Sequence, residues 1–209
     1  MQKKTLIAIP CMDQVPALFA QSLALLAKPE DAVLAMKMGT LIYTSRNDLA
    51  NMAIQNGSDY IFWMDSDMTF PQDALLRMID TLEENNLDIL TGLYFRRVPP
   101  YTPVLFDRLE MNGNICSWSE FHSIPAGLFE IGGCGFGCLL MRTDVFFDGQ
   151  ARYGNMFTPI GNNGEDIAFC VRAREMGYKI MCDPSIRCGH VGYVQVTDEF
   201  FKAYNGGKK

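Results

Sequence analysis

YIFWMDSD, at residues 60–67, is the stretch that decides the fold: five apolar residues are followed at once by two carboxylates. An apolar run of this kind is typical of a strand buried on both faces of a parallel sheet. Open α/β sheets bind ligands beyond the carboxyl ends of their strands. Asp65 and Asp67 therefore stand where a ligand is expected, and in an extended chain their spacing directs both side chains the same way.

The acidic pair has two interpretations. Carboxylates this close resist joint ionisation unless a cation neutralises them, so Asp65 and Asp67 favour a hard cation such as Mg²⁺ or Mn²⁺. A polar turn that caps the following helix would use the same residue types without any ligand. The spacing alone leaves both interpretations open.

The flanking segments extend the α/β pattern. Apolar runs predict strands at 5–9, within 33–43, at 60–64 and at 87–94, and helical periodicity predicts helices at 16–27, 46–55 and 71–85. Strands that alternate with helices predict a Rossmann-like, mostly parallel sheet flanked by helices.

The second half of the chain carries weaker signals. Asn112-Gly113 predicts a hairpin, and short strands are expected at 128–131, 138–141, 179–182 and 186–190, with a helix at 165–175. The glycines at 132, 133, 135 and 137 do not form a dinucleotide fingerprint, because an apolar strand follows them where that fingerprint requires a helix.

Charge and composition exclude some classes of protein. The formal net charge of -6 argues against a nucleic-acid partner, because phosphate binding rests on clustered Lys and Arg. Seven cysteines without paired tight spacings indicate a reducing compartment. With no apolar run long enough to cross a bilayer, we expect a cytoplasmic protein, either free or peripheral at a membrane.

The motifs stand in an informative order. Ser45-Arg46-Asn47 precedes a predicted helix, GSDYI at 57–61 leads into the acidic pair, and Phe70-Pro71 opens the next helix. In this order the chain resembles the family 2 glycosyltransferases as far as about His190. The resemblance implies the GT-A fold in a single domain at 1–209, with a nucleotide-binding half at 1–97, an acceptor and catalytic half at 98–195, and a tail at 196–209.

The resemblance also implies a metal site. Asp67 would bind Mn²⁺ or Mg²⁺ directly, Asp65 would contact the ribose or the water shell of the metal, and His190, in IRCGH at 186–190, would be the third protein ligand. The alternative for His190 is a histidine satisfied in the core or in a turn.

Nucleotide-sugar binding is implied for a second set of residues. Arg46 would contact the nucleotide or its phosphates as a fixed positive fork, Ser66 lies between the two acids, and the exit of the first strand, from Pro10 to Asp13, would hold base and ribose. The alternative for Arg46 is an exposed charge at a helix start. No acidic residue follows the second strand to select the base, so the donor is either UDP- or GDP-linked.

The catalytic base is implied by GED at 164–166. Asp166, or else Glu165, would take the proton of the acceptor hydroxyl as it attacks the anomeric carbon. The alternative is that both are ordinary acids at a helix start. The glycine-rich stretch at 131–142 resembles the family segment that lines the sugar and acceptor pocket.

Together these features predict a metal-dependent glycosyltransferase. It would move a hexose-type sugar from a nucleoside-diphosphate donor to a hydroxyl of a glycan, a lipid-linked sugar or a protein, with inversion favoured. SRNDLA at 45–50 is also similar to mannan-polymerase subunits, which are retaining, so the stereochemistry stays open. The alternatives are a sugar nucleotidyltransferase and a non-catalytic subunit that binds nucleotide sugars or acts as a scaffold.

Overall fold

The computed structural model of the chain describes residues 3–113, 115–121 and 123–192, so the predicted tail at 196–209 lies outside the described residues. In the first half, strands and helices alternate as the apolar pattern predicts. Its elements are β1 (Thr5–Cys11), α1 (Ala17–Leu25), β2 (Val33–Met38), α2 (Ile42–Gln55), β3 (Tyr60–Met64), β4 (Met68–Thr69), α3 (Ala74–Glu84) and β5 (Ile89–Leu93).

The second half supplies a hairpin, further strands and two helices. The predicted hairpin is confirmed, since Asn112 pairs with Ile115. The elements of the second half are β6 (Leu105–Asn112), β7 (Ile115–Glu120), β8 (Phe129–Ile131), β9 (Gly133–Cys134), β10 (Cys138–Arg142), α4 (Thr143–Tyr153), α5 (Glu165–Glu175), β11 (Ile180–Arg187) and β12 (Gly189–His190).

The central sheet has the strand order β2-β1-β3-β10-β5-β11-β8. Strands β2, β1, β3, β5 and β11 run in one direction, whereas β10 and β8 run against their neighbours. The predicted mostly parallel sheet is thus confirmed. The order turns back at β1, with β2 on one side and β3 on the other, and such a switch point leaves a crevice at the carboxyl ends of the strands.

Strand β10 inserts from the second half of the chain into the middle of the first. Leu139 pairs with Trp63 of β3 on one side and with Thr91 of β5 on the other. Its residues from 138 to 141 are completely buried, because helices cover both faces of the sheet here. The two halves of the chain therefore share one sheet.

Helices cover both faces of the sheet. On one face, α2, α4 and α5 pack Leu49, Phe146 and Phe169 against the strands. On the other face, α1 and α3 bury Phe19 and Leu75. Burying a large apolar side chain stabilises the fold by about 1.5–3 kcal/mol, so these two layers fix the sheet that carries the loops above it.

Helix α2 begins one turn earlier than predicted. The chain leaves β2 at Met38, and Gly39 turns it with a φ of +71°, a conformation that glycine adopts at low cost. The helix then starts at Ile42 rather than at Arg46. Arg46 consequently lies within the second turn of the helix rather than at its exposed start.

One other prediction about elements was wrong, and one helix was not predicted. The segments at 179–182 and 186–190 are not two separate strands: β11 runs through both, with irregular pairing between Asp183 and Arg187, and β12 follows it. Helix α4 had no sequence prediction at all. It contains Gly149, which lowers helix propensity, yet the glycine gives Met156 room to pack against the helix.

None of the helices in the described ranges combines the length and the apolar character that a membrane span requires.

Candidate active site

A cavity of about 990 Å³ opens at the carboxyl ends of β1, β2 and β3. This position agrees with the ligand site expected for an open α/β sheet. The cavity is lined by Pro10, Cys11, Met12, Gly39, Thr40, Leu41, Ile42, Ser45, Arg46, Asp65, Ser66, Asp67, Arg97, Glu165 and His190.

A two-stranded ribbon brings His190 to Asp67. Strand β12 pairs antiparallel with β4, so that His190 lies opposite Met68. The backbone N–H of Val191 also donates to the carbonyl oxygen of Asp67 at 2.8 Å. As a result, His190 Nε2 lies 3.4 Å from Asp67 Oδ2.

The orientation of the His190 ring is fixed from behind. Its Nδ1 lies 2.9 Å from the carbonyl oxygen of Phe95, which can only accept, so Nδ1 carries a proton. Nε2 then faces Asp67. Backbone carbonyls commonly hold metal-binding histidines in this way, leaving the other nitrogen for the metal.

The charges of this pair support each other. The hydrogen bond to Asp67 raises the pKa of His190 above its ordinary value, despite burial. Burial alone would raise the pKa of Asp67, but the hydrogen bond from His190 and the positive charges of His190 and Arg97 outweigh it and lower that pKa. Asp67 is therefore held ionised.

Arg46 forms a second charged cluster beneath the cavity. Its Nη2 donates to Asp65 Oδ1 at 2.7 Å and its Nε donates to Glu165 Oε1 at 3.1 Å. Only 3% of the side chain is exposed, and the guanidinium carbon lies 5.6 Å from the ring centre of Trp63 and 5.1 Å from that of Phe136. The interpretation of Arg46 as an exposed charge at a helix start is excluded.

Among the described residues, Asp166 forms no ion pair, and the positive charge of Arg46 only partly offsets the burial of its carboxyl group. Its Oδ1 accepts a hydrogen bond from the backbone N–H of Ile167 at 2.8 Å, at the start of α5. Burial, followed by the charge of Glu165, raises the pKa of Asp166 to about 6. The two neighbouring acids thus differ, because Arg46 neutralises Glu165 while Asp166 remains in a poorly solvated position.

Most of the candidate site residues from the sequence line the cavity, and two of them do not. On the cavity wall lie Pro10, Arg46, Asp65, Ser66, Asp67, Glu165 and His190. Asp13 and Asp166 are not on that wall, and Asp13 is exposed. The acidic pair does not cap the next helix, whose N-cap residue is Asp73.

The acids at 65 and 67 have different partners. Asp65 turns to Arg46 and Asp67 turns to His190 and Arg97. Across the described residues, no three His, Cys, Asp or Glu side chains converge closely enough to hold a metal ion. The donor set that fits a cation is the pair formed by Asp67 and His190, in which a carboxylate faces an imidazole of fixed orientation.

Two parts of the cavity wall were not predicted from the sequence: Arg97, and the segment 39–42, whose Leu41 and Ile42 make it an apolar wall. Arg97 follows β5, which ends at the same edge of the sheet as β3, and that position was the available signal. Its Nη1 contacts Asp67 Oδ2. Leu41 and Met12 are more than half exposed at the cavity.

Comparison with known proteins agrees with this architecture. Residues 44–148, half of the chain, match the family model described as "Glycosyl transferase family 2". None of the curated proteins matches the chain. Among solved structures, A197 from STIV has a TM-score of 0.69 at 17% identity, with 91% of this chain and 86% of that one covered.

A second structure is similar in fold and was solved with ligands. The crystal structure of GalNAc-T7 with UDP, GalNAc and Mn²⁺ has a TM-score of 0.64 at 8% identity, and the match covers 92% of this chain but 44% of that one. These similarities establish the fold, and the GT-A prediction is confirmed. With half of its residues matched by the family model, the chain belongs to glycosyl transferase family 2.

Proposed function

We propose that the chain is a metal-dependent glycosyltransferase that moves a hexose-type sugar from a nucleoside-diphosphate donor to an acceptor hydroxyl. The observation that carries the proposal is the pairing of Asp67 with His190 at the mouth of the cavity. The GalNAc-T7 structure, which contains UDP and Mn²⁺, supports a donor of this class.

Asp67 and His190 would hold the cation. The carboxylate is kept ionised by its surroundings and the imidazole presents Nε2. Because Mg²⁺ takes oxygen ligands almost exclusively, the imidazole favours Mn²⁺. When bound, the cation would stabilise the charge that develops on the departing nucleoside diphosphate. Asp65, held by Arg46, would contact the ribose or the water shell of the metal.

The nucleoside would occupy the cavity beyond β1 and β2. Pro10 and Ser66 line it together with the apolar wall at 39–42. Asp13 lies outside the lining, so it is a weaker candidate for this contact than Pro10. Arg46 lies almost wholly below the surface, so we propose that it orients Asp65 and Glu165 rather than reaching across to the phosphates.

Asp166 would act as the general base toward an acceptor that approaches from outside the lining of the donor cavity. A carboxylate with a pKa of about 6 is ionised at neutral pH yet still basic enough to accept a proton from the acceptor hydroxyl. Glu165 is less suited, because its carboxylate already accepts a hydrogen bond from the buried Arg46 at 3.1 Å. A single base of this kind is consistent with inversion at the anomeric carbon.

The first test is calorimetric titration of the purified protein with UDP, GDP and their sugars, each with Mn²⁺ and each with EDTA. The proposal requires that one nucleotide bind in a metal-dependent way. Turnover is then followed by NMR with the bound donor and simple sugar acceptors, and the anomeric signal of the product distinguishes inversion from retention. Metal-dependent binding without turnover toward any acceptor would identify a non-catalytic nucleotide-sugar-binding subunit.

A further inference from the structure

The guanidinium of Arg97 lies beside Asp67, where the proposed function would place a metal ion. Its Nη1 contacts Asp67 Oδ2, the same oxygen that His190 Nε2 approaches at 3.4 Å. The Arg97 side chain is 51% exposed and lines the cavity. One carboxylate oxygen therefore faces both an imidazole and a guanidinium, and the guanidinium belongs to a half-exposed arginine that contacts it directly.

The backbone of Arg97 is held in place. Phe95 pairs with Pro103, and the N–H of Arg96 donates to the carbonyl oxygen of Thr102 at 2.9 Å. Gly192 packs so closely that an added Cβ would lie 3.2 Å from Arg97 Cβ. The loop is fixed on both sides, so a change at this site would involve the side chain of Arg97 and not its backbone.

The two arginines of the site differ in freedom. Arg46 is buried between Asp65 and Glu165, whereas Arg97 is half exposed and pairs with Asp67 alone among the residues that the structure describes. A half-exposed ion pair is weak, because water solvates the guanidinium equally well. A divalent cation that binds Asp67 and His190 would take the oxygen that Arg97 occupies and would repel the guanidinium.

We propose that Arg97 is a diphosphate-binding residue that holds Asp67 in the metal-free protein and transfers to the donor phosphates when the cation binds. This inference rests on the proposed function. Once released from Asp67, the guanidinium would lie beside the cavity with its N–H donors available. Guanidinium groups bind phosphate oxygens through paired charge-assisted hydrogen bonds. Such an exchange would supply the positive charge that an acidic protein needs near an anionic donor.

The proposal predicts opposite effects of Arg97→Ala on two ligands. Titration with MnCl₂ alone should show an affinity for Mn²⁺ raised roughly two- to fivefold, because the competing guanidinium is gone. Titration with UDP, and in parallel GDP, at saturating Mn²⁺ should show an affinity reduced about tenfold, because a charge-assisted hydrogen bond is lost. Arg97→Lys should lie between Arg97→Ala and the wild type for both ligands.

Arg96→Ala is the matched control. Arg96 is the preceding residue on the same loop, but its side chain lies 3.5 Å from Glu120. This variant should bind Mn²⁺ and nucleotide as the wild type does. If Arg97→Ala bound both ligands as Arg96→Ala does, or bound both more weakly than the wild type, the exchange would be disproved while the metal site stood. If neither the wild type nor any variant bound UDP or GDP at saturating Mn²⁺, the proposed function itself would fail.

Discussion

Arg46 Nε donates a hydrogen bond of 3.1 Å to Glu165 Oε1 across 119 residues of sequence. The same guanidinium donates to Asp65 at 2.7 Å. A buried cation between two carboxylates joins α2, the end of β3 and the start of α5 into one electrostatic unit. Removing one partner from such a unit leaves the other charges without compensation.

Replacing Arg46 therefore tests the unit directly. Arg46→Met should lower the free energy of unfolding near pH 7 by about 3 kcal/mol, since Glu165 would lose the group that stabilises its charge. Urea denaturation followed by circular dichroism measures the change. Lys37→Met is the control, because the pair of Lys37 with Asp48 at 2.9 Å is exposed, and its loss should cost less than about 1 kcal/mol. Equal losses of the free energy of unfolding in the two variants would show that the buried Arg46 cluster stabilises the protein no more than an exposed ion pair does.

Asp67 is predicted to be the principal metal ligand. Asp67→Asn keeps the shape of the side chain but removes its charge, so Mn²⁺-dependent binding of the nucleotide should fall by more than the roughly 10–100-fold typical of outer-shell changes. Calorimetry with Mn²⁺ and with EDTA measures this. Asp73→Asn, at an exposed residue 3.6 Å from Arg77, is the control and should bind normally. Unchanged metal dependence in Asp67→Asn would rule out this ligand assignment.

Asp166 should impose a pH dependence on stability. Its pKa is raised to about 6 in the folded chain, so the folded state binds this proton more tightly than the unfolded state. Its contribution to stability is present at low pH and is lost as the pH rises from about 4 to about 6. An asparagine at this position does not titrate. The free energy of unfolding of Asp166→Asn, relative to that of the wild type, should therefore rise across this pH range by on the order of 2 kcal/mol.

The same change should abolish transfer while sparing donor binding. In the wild type, kcat/KM should rise with pH to a plateau with a midpoint near 6, because the base acts when deprotonated. Glu165→Gln is the matched neighbour and should destabilise the protein instead, since Glu165 accepts a hydrogen bond from Arg46. Undiminished turnover in Asp166→Asn would remove Asp166 as the base.

The glycine-rich segment before β10 should be sensitive to added methyl groups in an uneven way. A Cβ on Gly132 would meet the backbone of Arg108 and Asp107 at 2.8 Å, whereas one on Gly133 would meet the side-chain tip of Leu109 at 2.5 Å. Backbone cannot yield as a flexible side chain can. Gly132→Ala should therefore be the more destabilising, at the upper end of the roughly 1–3 kcal/mol typical of overpacking. Thermal unfolding measures both, and a reversed order would contradict the packing explanation.

The sequence by itself determined the strands and helices whose apolar pattern is strong. Strand β3 and the acids that follow it were identified because a strand covered on both faces must be apolar along its whole length. Helix α5 was predicted with its bounds, 165–175, from periodicity and from Gly177 after it. Such patterns are formed by residues close together in the sequence, so they can be recognised without knowledge of the fold.

Local patterns could not show how distant segments pair. Strand β10 was expected as a strand, yet its insertion between β3 and β5 depends on contacts with both. Helix α4 went unpredicted because Gly149 weakens the helical signal, and packing against Met156 overrides that weakness. Propensity is only a weak preference that tertiary contacts can reverse.

The candidate site, too, was predictable from the sequence only in part. The sequence identified acids, an arginine and a histidine by type and by their order along the chain. Only the tertiary structure decided that Arg46 is buried between Asp65 and Glu165 and that Arg97 reaches Asp67. It was the pairing of β12 with β4 that brought His190 to the acid. Burial and charge pairing are properties of groups that meet in space, and a linear pattern does not contain the distances on which they depend.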